Sequence, residues 1–192
     1  MGVIFQSLGR SVVAGVVLLA ALIAVFGNIK MGHAWGTFFM RWLHVMCGVM
    51  WVGLLWYFNF VQIPSMPKIP DEQKPAVSKV IAPAALFWFR WAALATVVTG
   101  LLLSFMSGSI GLALMLQKPF VAIGIGMWIA LLMAFNVWFI IWPAQQKALG
   151  MVVVEAAAKA AAARIAMLTS RFNTMLSIPM LYCMVAQQNG GL

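Results

Sequence analysis

Five stretches of this sequence are so apolar, and so long, that water cannot be their solvent. They lie near residues 11–28, 38–62, 84–106, 119–142 and 165–187. About 20 helical residues at 1.5 Å rise cross the roughly 30 Å hydrocarbon core of a bilayer. In hydrocarbon every backbone N–H and C=O must be paired within its own segment, which for runs of this kind leaves the α-helix. Of the 192 residues, 65% are hydrophobic and 8% charged, a proportion that no soluble domain of this size could bury. The sequence predicts an all-α integral membrane helical bundle of about five transmembrane helices, as a single membrane domain over 1–192. The first run is read as a retained span rather than a cleaved signal.

The basic residues set the expected orientation. Arg10, Lys68, Lys74, Lys79, Lys147, Lys159 and Arg164 fall outside the spans on the N-terminal side, against Lys30, Lys118 and the marginal Arg41 on the other. The positive-inside bias then puts the N-terminus in the cytoplasm and the C-terminus in the periplasm of a bacterial inner membrane. A net charge of +9 scattered over span ends, not gathered on one element, argues against nucleic acid as a partner. Trp56, Tyr57, Trp88, Trp91, Trp138 and Trp142 fall toward the cytoplasmic ends of three spans, where an interfacial aromatic belt is expected. Prolines in 63–83 predict a cytoplasmic loop, and the Ala-rich segment 151–164 a cytoplasmic helical extension running into the fifth span. Pro179 should bend that span or free a carbonyl. Gly124, Gly126, Ala92, Ala95 and Gly100 should allow close helix approach. Cys47 and Cys183, both in apolar runs, are read as small packing residues, and no internal repeat is evident.

Two constellations could carry chemistry. His44 lies inside the second span, and at ~100° per residue its face also carries Gly48 and Trp51. An imidazole at this depth is a candidate ligand of a b-type haem, with Gly48 leaving room for a flat macrocycle and Trp51 offering a dry wall. The alternative is a neutral histidine bonded to a backbone carbonyl or a neighbouring helix. His33, between Gly32 and Gly36, is expected in a loop; eleven residues or ~16 Å from His44, it cannot complete the same haem from the same helix. The sixth position would be empty, or filled by a Met, by His33 on a folded-back loop, or by a partner subunit.

The second constellation is basic: Arg90 and Arg171, with Asn136 and Asn173 at similar levels, and no acidic residue in any span. A buried guanidinium calls for an anion, such as a lipid phosphate, a haem propionate or a partner's carboxylate, unless it snorkels to headgroups. The sequence contains no CxxCH, HExxH, P-loop or paired intramembrane carboxylates, which argues against an autonomous hydrolase or ATP-driven pump.

The stretches RWLHVMCGVMWVG, WYFNFVQIP, FWFRWAALATVVTGLLL, FNVWFIIWPAQQKALG and SRFNTMLSIPMLYCM span most of Trp42 to Met184. Together they resemble the N-terminal membrane domain of bacterial membrane-bound urate oxidase, in a short stand-alone form. The resemblance implies a membrane oxidation system in which electrons from urate pass to a cytochrome c domain, which is expected to be absent here. It strengthens His44 as a haem ligand and leaves Arg90, Asn136, Arg171 and Asn173 as lining for an anion or propionate. The leading expectation is a subunit of a larger respiratory, photosynthetic or other oxidoreductase assembly, holding haem b through His44. The alternatives are a urate hydroxylase passing electrons to a separate cytochrome c, and a cofactor-free structural or assembly subunit.

Overall fold

A computed structural model describes residues 2–27 and 29–191, and among these the chain is helical, with no strand. Four helices are long and apolar enough to cross a membrane: Leu8–Phe26 (α1), His33–Lys68 (α2), Lys74–Met106 (α3) and Val121–Ala148 (α4). The fifth expected span lies within Ala156–Asn189 (α5), a helix of 34 residues. It is long enough to cross but is not among the helices apolar enough to qualify on hydropathy, since Arg171 and Asn173, with several Ser and Thr residues, interrupt its apolar run.

The chain divides into two compact units, residues 1–38 and 39–192. The first holds a helical turn at Gly2–Phe5 and α1, none of whose described residues is buried. The second is a helical bundle. His33, expected in a loop, is instead the first residue of α2, and its carbonyl accepts a hydrogen bond from the Thr37 hydroxyl at 3.0 Å.

The expected loop 63–83 is also shorter than its prolines suggest. Helical structure continues to Lys68 and resumes at Lys74, so that only residues 69–73 leave it. The prolines are accommodated by a recurring device. Tyr57–Gln62, Val77–Ile81 and Asn136–Ile141 are π-helical, and each is followed two residues later by a proline: Pro64, Pro83 and Pro143. A proline has no N–H to donate, and its ring collides with the carbonyl four residues back. Widening the preceding turn to i→i+5 bonding moves that carbonyl aside, and the helix continues. At the break itself Lys74 Nζ pairs with Asp71 Oδ1 at 2.6 Å and holds that carboxyl below its ordinary range.

Four helices of the second unit close into a ring. α2 and α3 run antiparallel, with Phe58 edge-on to Phe89 at 5.6 Å. α3 meets α4 at Trp91 and Trp138. α5 runs back along α4 for the full length of both: Gln187 Oε1 accepts from the Ile123 N–H at one end, and Ala162 and Ala166 pack on Ala144 at the other. The expected extension is therefore helical from Ala156, and its first turns are docked on α4. α5 returns to α2 through Trp56–Ser177 and Asn59–Ser170 hydrogen bonds. Trp51, Leu55, Phe89, Met133 and Val137 fill the interior. Lipid tails are as apolar as these side chains, so close packing and interhelical hydrogen bonds must hold the ring together.

Small residues set the distances, as the sequence suggested. A β-carbon on Gly126 would stand 3.1 Å from Cys183 Cβ on α5. At Gly124 it would run into the carbonyl oxygen of Ala113, in the short helix Ile110–Leu114. Backbone cannot rotate out of the way. Gly124→Ala should therefore destabilise the detergent-solubilised protein by about 1–3 kcal/mol. Gly111→Ala, where the added carbon meets nothing within 4 Å, should be neutral or slightly stabilising. Thermal unfolding of the two variants beside wild type checks the contrast.

Candidate functional site

His44 projects from α2 onto α3. Its Nδ1 lies 3.0 Å from the carbonyl oxygen of Thr96 and 3.1 Å from Thr99 Oγ1. A carbonyl can only accept, so these contacts assign the proton to Nδ1 and leave Nε2 with a lone pair. The Thr99 hydroxyl is free to accept from the ring because it donates to the Ala95 carbonyl at 2.6 Å. Gly100 makes the pose possible: a β-carbon there would stand 2.8 Å from His44 Cε1. The helical face predicted from the sequence is present, with Gly48 one turn on and also against α3, where Thr96 Cγ2 approaches its missing side chain. Trp51, a turn further, is fully buried, and its indole N–H has no partner. Gly48 and Trp51 thus brace the helix beneath His44, whose Nε2 is the ring nitrogen not engaged by Thr96 or Thr99. Iron is suited to such a nitrogen, since imidazole ligands commonly donate their other N–H to a backbone carbonyl. Among the described residues no group of three or more His, Cys, Asp or Glu gathers to hold a metal ion.

Arg90, Arg171, Asn136 and Asn173 are not brought into one site. Asn136 and Asn173 are buried and satisfy each other: Asn136 Nδ2 donates to Asn173 Oδ1 at 2.8 Å, and Asn173 Nδ2 to the Met133 carbonyl at 2.9 Å. Arg171, two residues away on α5, is exposed. The asparagines belong to a neutral network that sequence reasoning only partly identified. Asn59 Nδ2 donates to Ser170 Oγ at 2.7 Å and to the Leu55 carbonyl at 2.8 Å. Trp56 Nε1 donates to Ser177 Oγ at 3.0 Å, and that hydroxyl donates onward to the Thr174 carbonyl. The signal that could have found it is a thrice-used pattern, Phe-Asn followed by a proline: Phe58-Asn59 with Pro64, Phe135-Asn136 with Pro143, Phe172-Asn173 with Pro179. Asn59 Oδ1 and Gln62 Oε1 remain buried without a donor.

Arg90 belongs to a separate, cationic cluster. Its guanidinium carbon stands 3.3 Å from the ring centroid of Trp142 and 5.6 Å from that of Trp138. Trp138 is in turn edge-on to Trp91 at 5.5 Å. Two of the expected belt residues, Trp138 and Trp142, are therefore half-buried and hold an arginine, whereas Trp56, Trp88 and Trp91 are exposed. Arg90 Nε and Trp138 Nε1 are both buried and have no acceptor.

Residues 113–190 match a family model described as urate oxidase N-terminal, the family that the sequence resembles. No curated protein and no solved structure matches the chain. The matched stretch contains all of α4 and α5, with the Asn136–Asn173 pair, Trp138 and Trp142; His44 and Arg90 lie before it.

Asn173→Leu should leave the Asn136 amide unpaired in an apolar interior and lower stability by about 1–3 kcal/mol. Arg171→Leu, on the exposed side of the same turn, should change it far less. Melting temperatures of the two variants in one detergent test the difference.

Proposed function

We propose that this chain, with its urate oxidase N-terminal match over residues 113–190, is an electron-transferring membrane subunit in which His44 Nε2 would hold haem b. The observation that carries the reading is the 3.0 Å hydrogen bond from His44 Nδ1 to the Thr96 carbonyl. It holds the imidazole in one tautomer and one orientation, and leaves the opposite nitrogen as the ligating atom. When bound, the haem supplies a one-electron couple. The contribution of the chain is to position and to exclude water. Thr99 shares the Nδ1 proton, Gly100 gives the ring its seat on α3, and buried Trp51, Leu55 and Phe89 keep the interior below it dry. In a larger oxidoreductase assembly of the bacterial inner membrane, a neighbouring subunit would be the electron partner. The antiparallel course of α5 along α4 supports a fifth crossing with its polar face inward, and the Lys/Arg bias supports a cytoplasmic N-terminus.

A second reading, urate hydroxylation with electrons passed to a separate cytochrome c, is favoured by the family match itself.

A reduced-minus-oxidised spectrum of the purified protein should carry a b-type signal, and His44→Ala should lose it while remaining folded. Intact wild-type protein that purifies without haem sinks the first reading. Membranes containing the chain and oxidised cytochrome c test the second: urate-dependent reduction of the cytochrome supports it, and no reduction discards it.

A further inference from the structure

Arg90 is a cation among apolar helices with no counterion among the described residues. The sequence has three acidic residues, Asp71, Glu72 and Glu155. All three are exposed, Asp71 is paired with Lys74, and among the described residues no ion pair reaches Arg90. Its guanidinium lies on the Trp142 ring at 3.3 Å, which covers one face of the charge but accepts none of its in-plane N–H groups. Nε is buried without an acceptor, and so is the indole N–H of Trp138 in the same cluster. Unpartnered buried donors beside a full positive charge call for an acceptor that is itself negative.

The surroundings indicate which anion is at hand. Trp91 is edge-on to Trp138 and 47% exposed, and Trp88 is 57% exposed, so indoles line the outer side of this cluster. Exposed indoles on a membrane helix settle at the headgroup level, where the abundant anion is a lipid phosphate.

We infer that Arg90, Trp138 and Trp142 form a binding site for the phosphate of an anionic phospholipid. The terminal N–H groups of the guanidinium are the bidentate donor, and the Trp138 indole N–H, closed off in the lipid-free fold, becomes the additional one when the phosphate is seated. The Trp142 ring fixes the plane in which the guanidinium presents its donors. The site is independent of the haem reading and of His44.

The test uses the full chain in detergent, titrated with phosphatidylglycerol and followed by native mass spectrometry. Wild type should retain the lipid. Arg90→Lys keeps the charge but loses the planar fork, and should weaken retention about tenfold. Trp138→Phe keeps the aromatic face but loses the donor, and should weaken it several-fold. Arg171→Lys, on an exposed face, should bind as wild type does. If Arg90→Lys and Trp138→Phe both retain phosphatidylglycerol like wild type, charge alone holds the lipid and the proposal is overturned. Inorganic phosphate supplies the second arm. If millimolar phosphate displaces the lipid with the same dependence on Arg90 and Trp138, the site stands and also takes the free anion; if it does not, the lipid headgroup is the ligand.

Discussion

The hydrogen bond between Asn136 and Asn173 is the joint on which the bundle depends. A helix as polar as α5 would not be retained among apolar neighbours by its hydrophobic residues alone, since lipid competes for those contacts on equal terms. What lipid cannot offer is a partner for an amide. Once Asn173 is paired with Asn136 and the Met133 carbonyl, the rest of the α4–α5 contact follows in register, from Gln187 beside Ile123 to Ala162 and Ala166 on Ala144. The same helix then carries Ser170 and Ser177 to the donors on α2, which closes the ring. Polarity that disqualifies α5 as a span on hydropathy is what fixes its place in the structure.

Architecture and local geometry differ in how far they could be read from the sequence. Four apolar helices and a long fifth helix follow from length and composition, because the bilayer fixes both. The prolines of 63–83 predict a loop because a proline ordinarily stops a helix, whereas a single widened turn lets each of Pro64, Pro83 and Pro143 remain in one. The glycines around His33 predict a loop, yet Gly36 lies within the first turn of α2 and does not break it.

The sites were legible as residue types and not as groupings. His44 stands out as an intramembrane imidazole, but its partner is a backbone carbonyl 52 positions away, which leaves no mark in the sequence. Arg90 was recognised as an unpaired charge. The sequence places the two tryptophans that hold it in an interfacial belt but not on an arginine, because helical phase at Trp138 depends on the π-turn it sits in. Depth alone groups Asn136 and Asn173 with the arginines, although the two are hydrogen-bonded to each other across the α4–α5 contact.

The π-turns have a consequence for how such a chain encodes its faces. A turn that takes up about one residue more than an α-turn shifts the phase of everything beyond it by roughly 100°. Each affected helix is in effect two shorter cylinders with separate clocks, sharing one axis. Residues that a uniform 3.6-residue wheel would send to lipid can then face inward on the far side of the turn. A single insertion is thus turned from a defect into a means of re-aiming half a helix while the chain stays helical, as hydrocarbon demands.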